Sequence, residues 1–249
     1  MSDLERRVVF VAGGAGVIGA ATCRAMAAEG ARVVVHCRSR IDHARVLAAS
    51  LPTPAIAVSA DLTNPEELAA ALAEAVAALG PIDVVVDAAH PGQEVAAVAD
   101  LTPGILREQF SGALGFQALC AGVVPAMRDG AWGRIVYVSG ALMARPAPGF
   151  GAYGAAKSAA TTLARYLALE EGRHGITVNV VAPGRVVDPT DETPLDVEHA
   201  ELAARLLERM ALPGFPSPDD VARAIVALTA QGAVTGQTVW VTGGEPIAA

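Results

Sequence analysis

The chain has 249 residues, 53% of them hydrophobic, and a formal net charge of −8, a balance that supports a large core and argues against disorder. Its basic residues are scattered, which argues against nucleic acid, whose phosphates need clustered lysine and arginine. Cys23, Cys37 and Cys120 are odd in number and far apart, matching neither a disulfide framework nor a zinc-ligand spacing, so no metal is expected and a reducing cytoplasm is the expected compartment.

The opening Met-Ser-Asp-Leu-Glu-Arg-Arg leads straight into a strand, and no uncharged apolar run reaches the ~18 residues needed to span a bilayer, so neither secretion nor membrane insertion is expected. The strand Val8–Ala12, a glycine turn, a helix over 20–29 and the strand Arg32–Cys37 read as a βαβ unit. In the turn, Gly13, Gly16 and Gly19 with Val17 and Ile18 permit close approach of a pyrophosphate to helix-terminal N–H groups; the plain alternative is a tight strand-to-helix turn. The second strand ends in His36, Cys37, Arg38, Ser39 and Arg40. A site selective for NAD offers a carboxylate there, whereas arginines pair with a 2′-phosphate, so NADP(H) is favoured over NAD(H), against a reading as solvated surface arginines.

A third strand, Ala55–Ser59, is followed by Asp61 and Leu62. They are placed to receive an adenine; equally, Asp61 begins a turn with Thr63 or Asn64 capping the helix that Pro65 opens. The fourth strand, Val84–Asp87, gives way to Ala88, Ala89 and His90. A fifth strand over 135–139 ends at Ser139, and a helical stretch then carries Tyr153 and Lys157. Residues four apart share a helix face, and an ammonium there favours the phenolate and pulls the tyrosine pKa below its ordinary ~10. That suits an acid/base tyrosine; the plain alternative is an ordinary amphipathic helix. Strands over 177–182 and at Thr238–Val241 flank an irregular segment, 185–218, with a short helix at 199–210. Continuous strand and helix alternation without a linker predicts one α/β domain over 1–249, a doubly wound parallel sheet in three layers.

With the first-junction glycine loop, Tyr153-x-x-x-Lys157, Val181-Ala-Pro-Gly184 and the closing run from Val234 to Gly244 in this order, the chain resembles the short-chain dehydrogenase/reductase family over nearly all its length. The resemblance implies a Rossmann fold with the nicotinamide beside Tyr153, the cofactor also contacting Ala88, Ala89, Pro183, Gly184 and Val186, in a homodimer or homotetramer. Tyr153 is then the proton donor to a carbonyl, or acceptor from an alcohol, and Lys157 holds the nicotinamide ribose. The chain departs from the family's pattern at several positions. The usual Asn-Asn-Ala-Gly becomes Asp87-Ala88-Ala89-His90, the relay asparagine falls at Gly112, and the substrate-orienting serine falls at Gly140, one residue after Ser139. The threonine after the Pro-Gly is replaced by Asp188, with Thr190 close by.

A one-residue loop adjustment restores Ser139 to the orienting role; without it, strand alternation turns the hydroxyl away. His90 is placed for proton transfer or a substrate hydrogen bond, against a reading as an exposed loop histidine. The leading function is an NADPH-dependent carbonyl reductase, or the reverse dehydrogenase, acting on a small molecule. Non-redox proton transfer (isomerase, lyase or cyclase) and a degenerate binding subunit are the alternatives. Segment 185–218 is expected to cover the substrate, and its Asp188, Asp191, Glu192, Asp196 and Glu198 disfavour a strongly anionic ligand unless Arg185 offsets them, so a neutral or apolar one is expected.

Overall fold

Valine-rich runs without polar alternation have no face to give to water, so they pair side by side and are covered on both faces. In the computed structural model, which describes residues 4–190 and 197–245, they are β1 (Val8–Ala12), β2 (Arg32–Cys37), β3 (Ala55–Ser59), β4 (Val84–Asp87), β5 (Gly133–Val138), β6 (Ile176–Pro183) and β7 (Thr238–Val241). All pair in parallel, in the order β3-β2-β1-β4-β5-β6-β7. The fold is the expected single Rossmann-type α/β domain. Its chain winds outward from β1 to β3 and returns to place β4 against β1. That reversal opens a crevice at the carboxyl ends of β1 and β4.

The helices are α1 (Val17–Ala28), α2 (Ile41–Ser50), α3 (Pro65–Leu79), α4 (Pro103–Asp129), α5 (Gly151–Glu171), α6 (Val197–Leu207) and α7 (Pro218–Thr229). Alternation along β1 divides the core into two layers. Val8, Phe10 and Ala12 face Phe116 and Leu119 of α4 and Ala160 of α5, while Val9 and Val11 face Met26 of α1 and Ile225 of α7. By length and composition α4 is apolar enough to cross a membrane; its buried face here packs in the first layer, against α5 and the sheet.

Element boundaries differ from the sequence reading where backbone groups decide them. Helix α1 starts three residues earlier than expected, because Gly16 serves as its N-cap. Strand β5 ends at Val138, although the Ser139 N–H still donates to the Val181 carbonyl at 2.8 Å. Asn64 caps α3, its side chain accepting from the Glu66 and Glu67 N–H groups, while Asp61 forms the turn before it, accepting from Thr63 N–H and Oγ1 at 2.8 and 2.7 Å.

Phe116 couples α4 to the strand that leads into the site. It is 1% exposed, with its ring centroid 4.9 Å from that of Tyr137 on β5. Phe116→Ala is expected to cost about 3–5 kcal/mol of stability, read as a lowered urea midpoint at pH 7; an unchanged midpoint would contradict this packing.

Candidate active site

The turn between β1 and α1 has no room for side chains. Gly13 has φ +70°, and a Cβ there would stand 2.8 Å from the Ala88 carbonyl oxygen and the Ala89 nitrogen; a Cβ on Gly19 would overlap the Gly13 carbonyl. The loop therefore lies directly against the exit of β4. His36 fixes its other side. Its Nδ1 accepts from the Gly13 N–H at 3.3 Å, so Nε2 carries the proton and donates to the Ala60 carbonyl at 3.0 Å. Burial lowers the imidazole to about 4, which keeps it neutral. A histidine following the valine run of β2 was the signal for this role, and sequence reasoning passed over it.

A cleft of about 300 Å³ opens in front of this turn, lined by Gly13, Gly16, Arg38, Ser39, Asp61, Leu62, Ala88, Ala89 and His90, together with Arg40, Ser111 and Gly112. The expected dinucleotide residues Val17, Ile18 and Gly19 open α1 beside it, where the first N–H groups of a helix have no partner within the helix. Arg38 is exposed and 3.6 Å from Glu108. Arg40 Nη2 reaches to 4.0 Å from where a Gly16 Cβ would stand. A glycine cradle, a helix N-terminus and two arginines together fit a nicotinamide dinucleotide.

Helix α5 brings Tyr153 and Lys157 to one buried face, with 9% and 3% exposure. Lys157 Nζ donates to the Val138 carbonyl at 2.8 Å and stands 4.9 Å from the Tyr137 ring centroid and 5.8 Å from that of Tyr153. Asp87, 1% exposed at the end of β4, accepts from the Ala89 N–H at 2.9 Å and supplies the opposing charge. Burial pushes Lys157 down and Asp87 up, and each charge resists the other's shift. Burial also pushes Tyr153 up to about 12, with the Gln93 side chain pulling the other way. The lowering expected from Lys157 is therefore not found. The ammonium is directed at Val138 and answered by Asp87, while the phenol lies beside Gly140.

The two glycines are filled space. A Cβ on Gly140 would come 2.5 Å from Tyr153 Oη, and one on Gly112 would come 3.1 Å from His90 Nδ1. His90 is not the exposed loop residue of the plain reading: its ring packs edge-on against Tyr153, centroids 4.9 Å apart. Gln109 determines its tautomer. Gln109 Nε2 donates to the Gly92 carbonyl at 2.7 Å, which leaves Oε1 to accept from His90 Nε2 at 3.2 Å. Nδ1 is then a bare acceptor, buried without a partner, and burial followed by the charge of Lys157 lowers the ring to about 3.

Ser139 is not brought to this group. Its hydroxyl is directed to Thr161 Oγ1 at 3.0 Å and Met143 Sδ at 3.1 Å, the orientation that strand alternation gives without a loop adjustment. Ser111 donates to the Glu108 carbonyl at 2.6 Å, as a helix residue.

Tyr153 lines a second cavity of about 310 Å³, with Gln93, Gly140, Arg145, Pro183, Gly184, Arg185, Val186 and Leu206 among its walls. Arg185, Val186 and Leu206 come from the segment expected to cover the substrate. Of its acidic residues, Asp188 accepts from Thr190 N–H and Oγ1 at 2.8 and 2.7 Å, and the side chains of Asp191, Glu192, Asp196 and Glu198 lie outside the described residues. Gln93 and Arg145 were missed, since they stand in loops whose course sequence periodicity does not reveal.

Residues 13–245 match a family model described as enoyl-(acyl carrier protein) reductase. The chain is 33% identical to the short-chain reductase protein NovJ of Streptomyces niveus, over 97% of this chain and 95% of that one. It is 30% identical to the 7alpha-hydroxysteroid dehydrogenase of Bacteroides fragilis, over 99% and 97%, and 29% identical to the glucose 1-dehydrogenase of Gluconobacter oxydans, over 95% and 90%. A steroid and a sugar at similar identity leave the substrate to be argued from the cavity.

His90 and Gly112 are expected to behave as an exchanged pair. Gly112→Asn alone displaces the imidazole and is predicted to lower the melting temperature, whereas adding His90→Gly should restore most of the loss, a non-additivity of at least about 1 kcal/mol. Additive melting shifts would contradict the packing.

Proposed function

The chain belongs to the short-chain dehydrogenase/reductase family, whose oxidoreductases use NAD(P)(H), and from that premise we propose that it is an NADPH-dependent reductase of a small organic carbonyl compound. The reading is carried by Tyr153. Its phenol lines the second cavity while its ring touches His90, which lines the first cleft, so the dinucleotide and substrate sites adjoin at one proton donor. Held up at about 12 by burial, Tyr153 carries its proton at neutral pH, the form that donates to a carbonyl oxygen.

The residues present fit the dinucleotide, with the β1–α1 glycines at its pyrophosphate, Ala88, Ala89 and Lys157 toward the nicotinamide ribose, and Arg38 and Arg40 at the adenosine 2′-phosphate. When bound, its reduced nicotinamide supplies the hydride. Tyr153 Oη gives its proton to the carbonyl oxygen, with the Lys157 ammonium 5.8 Å from the ring centroid. His90 stays neutral and excludes water from the edge of the tyrosine ring. Gly140 and Gly112 occupy the positions that the family fills with serine and asparagine, so the oxyanion is served by fewer side-chain donors here. Arginines with no carboxylate at the end of β2 support NADPH over NADH.

We also propose a homodimer or homotetramer, supported by Leu114, Tyr166 and Leu169 exposed on α4 and α5. A cytoplasmic location is supported by three free, buried cysteines.

Tyr153→Phe is expected to lower carbonyl-dependent NADPH oxidation by about 10²- to 10⁴-fold with NADPH affinity, read by fluorescence titration, unchanged. Arg38→Ala with Arg40→Ala should weaken NADPH at least about tenfold and leave NADH binding as it was. Full activity in Tyr153→Phe, or equal loss of both dinucleotides, would contradict the assignment.

A further inference from the structure

Resting on that reading, we infer that the substrate carries a carboxylate and that Arg185 binds it. Arg185 follows Pro183 and Gly184 at the carboxyl end of β6 and lines the cavity that Tyr153 lines. Phe215 flanks it, with the guanidinium carbon 5.7 Å from the ring centroid, and the Val187 N–H donates to the Pro216 carbonyl at 3.0 Å. The Phe215 ring thus flanks the guanidinium, and the backbone two residues on is tied to the same segment, which reduces the entropy lost when the arginine binds a ligand.

Among the described residues Arg185 Nε is buried with no acceptor, and no carboxylate lies within ion-pair distance of the guanidinium. A guanidinium has five N–H donors in a planar fork that matches both oxygens of a carboxylate, and leaving them unmet in a partly dry cavity is costly.

The other cation in the wall is already answered. Arg145 Nε stands 2.8 Å from Glu245 Oε1, with both side chains largely buried; the two atoms are too poorly aligned for a hydrogen bond, so the contact neutralises charge rather than directing it. Asp188, three residues beyond Arg185, is committed to its own turn with Thr190. Among the described residues Arg185 is the arginine of this wall without an ion-pair partner, and a single guanidinium suits a monoanion better than a phosphate dianion, whose second negative charge it would not answer. The neutral or apolar substrate expected from the acidic segment rested on Asp188, which is engaged with Thr190, and on four acidic side chains outside the described residues.

The test uses linear oxo acids with one to five methylenes between ketone and carboxylate, each beside its methyl ester. Binding to the NADP⁺-loaded protein is measured by calorimetry and turnover by NADPH oxidation. At least one acid is expected to bind more tightly than its ester, and Arg185→Leu should reduce that preference by about 10- to 100-fold, with ester and NADPH affinity unchanged and Arg185→Lys retaining part of it. Acid and ester bound alike, no acid bound, or a preference that survives Arg185→Leu would each overturn the inference. Acids bound but never reduced would leave the carboxylate site standing and remove the reductase reading. Esters reduced without acid preference would do the reverse.

Discussion

A lysine ammonium buried to 3% exposure is the constraint around which this molecule is arranged. Removing such a charge from water costs several kcal/mol unless other groups replace its hydration. The Val138 carbonyl takes one of its donors at 2.8 Å, and Asp87, at the carboxyl end of β4, supplies the opposite charge. Both depend on the sheet. β4 and β5 are neighbours, in register from Val84 opposite Arg134 to Asp87 opposite Tyr137, so the carboxylate and the carbonyl arrive at the same end of adjacent strands, facing one turn of α5.

That balance alters what the tyrosine is. With Lys157 answered from behind by Asp87, burial dominates Tyr153, and the free protein holds it as a neutral phenol. The space around it is taken by unusual neighbours: its own hydroxyl stands where a serine side chain at position 140 would begin, and His90 stands where a side chain at position 112 would begin. Each glycine lies close against a ring, so a side chain at either position would require that ring to shift.

The fold was legible because strand and helix periods, glycine turns and uninterrupted valine runs are local signals. β1, β2, β3, β4 and β7 keep the bounds that the residue pattern suggests. In the site, the structure brings Tyr153, Lys157 and His90 together and turns Ser139 toward Thr161, since a strand's alternation is a rigid rule that one loop residue did not break. Asp87 was visible only as an altered motif letter; its pairing with Lys157 depends on strand register. The roles of Gln93 and Arg145 were out of reach for a related reason, being set by which loops meet above the sheet.

The account stands or falls on the ionisation of Tyr153. ¹³Cζ-tyrosine NMR across a pH titration of the dinucleotide-free protein, with the Tyr153 signal assigned by its absence in Tyr153→Phe, reads it directly. The phenol should hold its proton up to about pH 12 and ionise at lower pH when Asp87→Asn frees the Lys157 charge. Ionisation of Tyr153 near neutral pH in the unaltered protein would contradict the account.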